Sequence, residues 1–413
     1  MGAARFLHLL PLTGMVVLMS IAASAQEGNG RLLTFGIEQS FNWADNPGLA
    51  TPSEGTRLRA DTRLTFGAVF EGPRDLLAFN SSLLLRSEDS GSGFDFGLEN
   101  PAAELTYTRS GATSSFTASA FLRESDLAEG LALSEDDGIP ILVLEDGAAR
   151  STGARLAYSF GDGGPFGGVL RAGLTDTDYR DTTDPDLVDN RTVTAGVGLR
   201  FTLNEVTEAT LDIDRSLYDE AGAAPAERST TVAAGLVRAL PRGSLRGTLS
   251  TTFDVDGSRS GLSFGRSIDL PDGALSVDIG LTESEGGGTD VTGALVYQKE
   301  LPRGGLSAQL SRAVTTDAGN DETLLTALSL GLTQELTTRI DLNMGADWTR
   351  SEDTASGLVT DNASLNAALN YALTQDWTLN VGANHRIKNE DGLGRANSTS
   401  VFLSVGRIFE WRP

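Results

Sequence analysis

The chain contains no cysteine, which excludes disulfides, thiol catalysis and thiolate metal sites. It has two histidines in 413 residues, His8 and His385. Basic residues are also scarce, because 32 Lys and Arg stand against 56 Asp and Glu and the formal net charge is −24. Nucleic acid is therefore not expected as a partner, since phosphate binding needs clustered Lys and Arg. After residue 25, no apolar run approaches the length of a membrane-spanning helix.

The N-terminus carries the most extended apolar run. Arg5 precedes the run, which starts at Phe6, contains Pro11 and ends in the small residues Ala23-Ser24-Ala25. A charged start, a short apolar core and an A-x-A site are the pattern of a secretory signal peptide. We therefore expect residues 1–25 to be a signal peptide and residues 26–413 to be the mature chain.

From about residue 31 onward, most segments alternate strictly between apolar and polar residues. Because successive side chains of a β-strand point to opposite faces, such a segment has one apolar and one polar face. Many strands of this kind, with no helices to cover the apolar face, predict an all-β, transmembrane, antiparallel up-and-down β-barrel. Its apolar face would contact lipid and its polar face would line a lumen. In segment 339–349 the apolar residues are Ile340, Leu342, Met344, Ala346 and Trp348.

The alternation gives about 20 candidate strands, of which we accept about 18, so the predicted barrel has about 18–20 strands in the domain 26–413. The candidate segments are 31–43, 56–70, 75–87, 103–110, 113–124, 148–160, 165–177, 190–203, 206–218, 228–240, 243–256, 259–270, 273–284, 289–300, 304–315, 322–335, 337–350, 361–373, 375–388 and 398–411.

Short and long connections alternate along the chain. Transmembrane barrels have short periplasmic turns and longer outer loops, so the short connections and both chain ends are expected on the periplasmic side. A soluble β-propeller or solenoid is the alternative suggested by the recurrence of 240–243, 270–273 and 301–304. The predicted short turns lie at 72–74, 161–163, 241–243, 271–273, 302–304, 337–338 and 374–375, and the longer loops near 125–147, 178–189, 219–227, 351–360 and 389–397.

Many residues on the polar face of the predicted strands are charged. In the first half these residues are mostly Arg and in the second half mostly Asp, which suggests a basic wall facing an acidic wall that would select solutes on charge and dipole. The alternative is that the charges pair with each other and hold water. The predicted pore-lining residues are Arg57, Arg59, Arg63, Arg86, Arg155, Arg171, Arg200, Asp212, Asp214, Asp254, Asp256, Asp278, Asp341 and Asp347, with Glu38, Asp61, Arg246, Arg339 and Arg386 on the same parity.

Segment 125–147 is the longest loop and contains the apolar stretch 139–144. It either folds inward as a constriction or packs on the rim. His385 falls on the lipid-facing parity, which does not suit a catalytic histidine. The Asp-rich stretch 176–189 lacks the spacing of a calcium loop and is interpreted as a solvated acidic loop, with calcium binding as the alternative. We therefore expect no enzyme activity, no metal and no cofactor.

The last strand places Val401, Leu403, Val405, Phe409 and Trp411 on one parity. Outer-membrane barrels usually end in an alternating strand with a terminal aromatic residue that the insertion machinery recognises, so we expect that machinery to contact the strand ending at Trp411. Arg412 and Pro413 follow the aromatic residue here, which departs from the usual ending.

The opening segment, Phe35-Gly36-Ile37-Glu38 through Phe41 to Pro47, runs into the pair Asp45-Asn46. It resembles the start of outer-membrane β-barrel porins, including barrels found with exopolysaccharide export systems. This resemblance implies a passive channel or an accessory to export, located in the outer membrane of a Gram-negative bacterium.

Two functions follow as expectations. The first is a porin-like channel through which hydrophilic solutes diffuse passively along a charged lumen. The alternative is a structural or export-linked barrel that is closed without a partner. A hydrolase or lipid-modifying enzyme is a third hypothesis, but the residues for it are missing. The expected partners are outer-membrane lipid and lipopolysaccharide, together with either other copies of the chain in a homo-oligomer or a periplasmic export protein.

Overall fold

The computed structural model describes residues 30–53, 55–89, 94–126, 132–133, 140–141, 147–182, 187–222, 226–254, 257–283, 288–316, 322–353, 357–392 and 394–412. The expected signal peptide, the apolar stretch 142–144 and Asp256 lie outside these described residues.

Twenty antiparallel strands form one closed sheet, in which each strand pairs with its neighbours along the chain and the last strand pairs with the first. The predicted all-β, up-and-down barrel is confirmed, and each of the twenty candidate segments overlaps one of its strands; segments 243–256 and 273–284 extend into residues outside the described part of the chain. The two-residue strands β6 and β7 pair with each other outside this sheet. The strands are β1 Arg31–Asp45, β2 Thr56–Glu71, β3 Asp75–Asp89, β4 Phe94–Ser110, β5 Ser114–Asp126, β6 Ala132–Leu133, β7 Pro140–Ile141, β8 Ala148–Phe160, β9 Phe166–Arg180, β10 Asn190–Asn204, β11 Thr207–Glu220, β12 Glu227–Leu240, β13 Gly243–Phe253, β14 Ser258–Leu270, β15 Gly273–Glu283, β16 Thr289–Leu301, β17 Gly304–Thr316, β18 Glu322–Thr337, β19 Ile340–Asp353, β20 Val359–Ala372, β21 Trp377–Glu390 and β22 Gly394–Trp411.

Strand β4 begins nine residues before the segment predicted from alternation, at Phe94 instead of residue 103. The register of β3 with β4 shifts between Ser82 and Leu84, where Ala102 and Glu99 are the partners. Such a bulge inserts extra residues into one strand and reverses its side-chain parity. Alternation is therefore interrupted within a strand that is continuous in the structure.

Short turns join the strands at one end of the barrel. Gly161 begins the β8–β9 turn at φ +73°, where a Cβ atom would lie 2.2 Å from the carbonyl oxygen of Phe166. Glycine alone tolerates that conformation without steric cost. The predicted turns near 72–74, 161–163, 241–243, 271–273, 302–304, 337–338 and 374–375 are present, and further short turns lie at 111–113 and 205–206.

The strand register separates two faces. The outer face, defined here as the parity that carries the large exposed apolar side chains, includes one row across five strands: Phe41, Leu403, Val381, Leu369 and Leu342. The inner face is the opposite parity, and it carries most of the polar and charged residues. Near the short turns, the rings of Phe160, Phe166 and Phe201 on the outer face form a chain with centroid separations of 5.9 and 5.2 Å. Aromatic residues at this position are typical of a membrane interface.

The buried polar and charged side chains lie mostly on the inner faces of β1–β3 and β20–β22. They include Asn42, Arg59, Asp61, Arg86, Asn384, Arg386, Ser400 and Ser404. Within the described residues, no helix is long and apolar enough to cross a membrane.

Candidate functional site in the barrel lumen

The structure places twelve of the fourteen predicted pore-lining residues on inner-face strand positions, according to their register partners. Asp254 instead follows the end of β13, where its carboxylate accepts a hydrogen bond from the Gly257 N–H at 2.9 Å. Asp256 lies outside the described residues. Contact of these side chains with a solute stays a prediction.

Arg86 is the centre of a buried ion-pair cluster on β2–β4. Its Nε lies 3.1 Å from Asp61 Oδ1 and its Nη1 lies 2.5 Å from Glu99 Oε2, while Arg86 and Asp61 are 2% and 4% exposed. Next to it, Arg59 and Arg57 share Glu88 at 2.7 and 3.3 Å. Buried charges are tolerated only when paired. The three arginines and three carboxylates of this cluster leave the inner wall of β2–β4 locally neutral.

A second group of ion pairs bridges alternate strands. Arg171 on β9 reaches across β10 to Asp212 and Asp214 on β11, at 3.2 and 3.0 Å. The intervening residue is Gly196, where a Cβ atom would collide with the Asp214 carboxylate. Because Gly196 has no side chain, Arg171 and Asp214 can reach each other across β10.

The same arrangement recurs on β13–β15. Arg246 pairs with Asp278 across Gly265 of the intervening strand, and a Cβ atom at Gly265 would meet both side chains. In addition, Arg200 pairs with Glu208 at 3.3 Å and donates a hydrogen bond to the Gly161 carbonyl at 3.0 Å.

The expectation of a basic wall facing an acidic wall is therefore wrong for these residues, and the alternative of local pairing is the one observed. Residues far apart in the sequence, such as Arg171 and Asp214, are only two strands apart in the sheet. The partners Glu88, Glu99 and Glu208 were not predicted from the sequence, although the glycines that stand between the paired residues, Gly196 and Gly265, are a usable signal.

Phe121 is an inner-face aromatic residue that sequence analysis did not select. The guanidinium carbons of Arg123 and Arg155 lie 4.9 and 4.6 Å from its ring centroid. Gly153, its partner on β8, leaves room for the ring. Cation–π contacts with the Phe121 ring therefore position both guanidinium groups on the inner face of the barrel.

The β1–β2 connection folds onto the inner face. Arg386 of β21 donates a hydrogen bond from Nη2 to the Pro47 carbonyl at 2.7 Å, and Pro47 is fully buried. Asn46 Nδ2 donates to the carbonyl of Asn397 on β22 at 3.0 Å, and Leu49 is buried. We call residues 46–50 the inner segment. It has the inward position that sequence analysis considered for 125–147, most of which lies outside the described residues.

The lumen opening near the short turns contains a cavity of about 340 Å³ on β17–β20. Glu335 and Asp341 face each other directly across β18 and β19, and both are exposed. Arg303, Thr333, Gln334, Asn343 and Asn370 complete the polar lining. Neither carboxylate makes an ion pair with a described residue. Like charges placed directly opposite each other repel. The two carboxylates and the single guanidinium of Arg303 leave the lining of this cavity with a formal excess of negative charge.

The remaining candidates are His385 and the Asp-rich stretch, of which residues 183–186 lie outside the described part of the chain. His385 lies on the outer face, where its Nδ1 is 2.9 Å from Thr399 Oγ1. In the Asp-rich stretch, Asp176 pairs with Arg191, and Asp189 accepts a hydrogen bond from the Tyr179 N–H. Among the described residues there is no group of three or more His, Asp or Glu placed to hold a metal ion.

No protein-family model matches the chain, and neither does any curated protein. Solved structures match it. The ferric enterobactin receptor PfeA of Pseudomonas aeruginosa, in complex with enterobactin, is 12% identical with a TM-score of 0.55, and the alignment covers 93% of this chain and 82% of the receptor. The siderophore receptor PirA of the same organism is 11% identical with a TM-score of 0.50, covering 91% of this chain and 80% of that one.

The chain has the fold of outer-membrane β-barrel proteins. The outer membrane protein OpdK of Pseudomonas aeruginosa also matches, at 11% identity and a TM-score of 0.44, over 92% of this chain and 99% of that one. At these identities, the likeness to the two receptors extends to the barrel fold alone.

Proposed function

We propose that this barrel is a porin-like channel of a Gram-negative outer membrane, through which hydrophilic solutes diffuse passively. The observation that carries the proposal is the solvent exposure of charged inner-face side chains midway along the strands. The side chains of Arg171, Asp212 and Asp214 remain 41%, 38% and 48% exposed although they point into a closed barrel. Charges exposed inside a barrel are hydrated, and barrels of 16–18 strands already leave an aqueous channel.

The proposed channel prefers cations. Because Arg171 and Arg246 are paired with carboxylates, they add little net field to the lumen. Glu335 and Asp341 make no ion pair with a described residue, and with Arg303 as the single cation of the same lining they leave the opening net negative, so their field acts on permeant ions there. The short turns at this opening would face the periplasm, as in other transmembrane barrels.

Single-channel recording of the refolded mature protein in a planar bilayer tests the proposal. Stable conductance steps and a reversal potential of the cation-selective sign in a salt gradient are the expected result. Folding is checked separately by heat-modifiable migration on a gel. The absence of conductance steps from folded protein would overturn the open-channel proposal.

The inner segment supports one alternative function. Arg386 and Asn397 hold it against the lumen wall, where it narrows the bore. A barrel that is closed by such a segment until a periplasmic export partner binds would give no conductance alone. It would conduct after the hydrogen bonds of the inner segment are removed, which distinguishes it from an unfolded sample.

A further inference from the structure

Two asparagine side chains on the inner face are buried without hydrogen-bond partners. Asn42 on β1 is 4% exposed and Asn384 on β21 is 2% exposed. Neither the Nδ2 nor the Oδ1 atom of either side chain has a partner among the described residues. Nearly all buried polar atoms of native proteins are hydrogen-bonded, because an unpaired one costs free energy. A partner from outside the chain is therefore expected for both amides.

The two amides flank a short stretch of β22, the strand between β1 and β21. Ser400 is the register partner of Asn384 and is 3% exposed, and Phe402 is the register partner of Asn42. The Phe402 ring leans over β21 at Gly382, where a Cβ atom would collide with it. An apolar ring and a hydroxyl group therefore lie beside the amides. We call Asn42, Asn384 and Ser400 the amide site.

The separation of the two amides indicates the size of a molecule that joins them. Asn42 and Asn384 are two strands apart and offset by two residues. Two strand spacings of about 4.8 Å and two residues of about 3.4 Å place their Cα atoms about 12 Å apart. Hydrogen bonds of about 2.9 Å at both ends leave about 6 Å between them, which is the width of one sugar ring.

The chemistry of the unpaired groups favours a neutral ligand with several hydroxyls. An amide offers both donors and an acceptor, and so does a hydroxyl, whereas a carboxylate only accepts and an ammonium only donates. The neighbouring guanidiniums interact with other groups. Arg59 on β2 pairs with Glu88 at 2.7 Å, and Arg386 on β21 donates a hydrogen bond to the Pro47 carbonyl. The groups left without a partner are thus the uncharged amides.

The inner segment lies next to the amide site. It begins at Asn46, shortly after Asn42 on the same chain, and it is hydrogen-bonded to Arg386 on β21 and to the Asn397 carbonyl on β22. It is the described part of the chain that lies over this end of β21 and β22. Because both amides are almost completely buried, a solute in the lumen contacts them only after this cover moves.

We propose that the amide site binds a neutral, polyhydroxylated solute of saccharide type, and that the solute displaces the inner segment when it binds. A ligand that binds only the released state shifts the equilibrium towards release. The same solute that passes through the lumen would then widen it. This inference rests on the proposed channel for the route of the solute, whereas binding itself requires no current.

The test uses protein refolded in detergent that carries Leu49→Cys, at a buried position of the inner segment. The rate of labelling by a bulky maleimide is measured at increasing concentrations of maltose. The rate should rise in proportion to 1 + [maltose]/Kd, where Kd refers to the released state, and thus about tenfold when maltose is at about ten times Kd. Glycine betaine at equal osmolality has no hydroxyl group and should not accelerate labelling.

In the same background, Asn42→Leu/Asn384→Leu should weaken the maltose effect by about 10-fold or more, because two hydrogen-bonding amides are lost. Its urea midpoint should not fall, since leucine replaces groups that have no partner in the protein. Asn380→Leu is the matched control on the inner face of β21. Asn380 donates a hydrogen bond to Ser404 at 3.2 Å, so this variant should unfold at lower urea and keep the maltose effect. The single variant Asn384→Leu gives the same comparison if the double variant does not fold.

A labelling rate that does not respond to maltose, or that responds equally to glycine betaine, would overturn the proposal. An unchanged maltose effect in the double variant would also overturn it. A lower urea midpoint of the double variant would assign the amides to buried water with a structural role and overturn it as well. Conductance is recorded on the same samples. Maltose-dependent labelling without conductance steps would refute the channel alone, and conductance without a maltose effect would refute the site alone.

Discussion

Replacement of Arg386 by Ala should release the inner segment from the lumen wall. The Arg386 side chain is 3% exposed and donates its hydrogen bond to a carbonyl of the fully buried Pro47. A hydrogen bond that involves a charged group contributes about 1.5–3 kcal/mol, and the orphaned carbonyl adds to the loss. Taking about 2 kcal/mol, the population with a released segment rises about 30-fold.

The absence of cysteine from the sequence makes this release measurable. A single Cys in place of Leu49, which is 5% exposed, should react slowly with a bulky maleimide. In the Arg386→Ala background the labelling rate should rise about 30-fold, in line with the opened population. Conductance should increase in the same protein, because the released segment no longer narrows the bore.

Lys388→Ala is the control for this experiment. Lys388 is on the inner face of the same strand but pairs with Glu390 at 2.7 Å, not with the inner segment. It should leave the labelling rate within a factor of two of the wild type. An increase of less than about threefold in Arg386→Ala would refute the assignment of Arg386 as the anchor, since that corresponds to well under 1 kcal/mol.

Three further predictions concern the walls and the last strand. Gly196→Val should lower the free energy of unfolding by about 1–3 kcal/mol in urea titrations, since the valine side chain would collide with the Arg171–Asp214 pair. Gly305→Ala is the control: the atom nearest to the added Cβ is 3.6 Å away, so the free energy of unfolding should change by less than about 0.5 kcal/mol. Glu335→Gln combined with Asp341→Asn should shift the reversal potential towards anions, whereas Glu335→Asp with Asp341→Glu should not; an unchanged potential would remove this pair from selectivity. Trp411→Ala should slow assembly by isolated insertion machinery without lowering the final yield of folded protein in detergent, and equal rates would argue against recognition of Trp411.

The strands and their two faces were predictable because alternation is a local property. Each run such as 340–348 specifies which side chains share a face without knowledge of its neighbours. The prediction failed at β4, where the bulge opposite Ser82 and Leu84 reverses the parity within one strand. A one-position change in the register between two strands cannot be detected from the alternation of residues along one of them.

Lumen contacts were less predictable because they depend on registers between strands. The inner-face parity of Arg171 and Asp214 follows from their own strands, but their pairing requires the register of β9 with β10 and of β10 with β11. The inner segment is a stronger case, since Pro47 and Arg386 are 339 residues apart in sequence. Their contact exists only because the barrel closes.

The closure between β1 and β22 has a consequence for the order of assembly. Every other pairing in the barrel joins strands that follow one another, whereas this seam joins the two ends of the chain. The hydrogen bonds from Asn46 to Asn397 and from Arg386 to Pro47 cross the seam from inside. The inner segment therefore links the two ends of the sheet non-covalently, and its hydrogen bonds can form only after the last strand has paired with the first. Lateral opening of the wall at this seam requires these hydrogen bonds to break first, so burial of Leu49 reports that the barrel has closed.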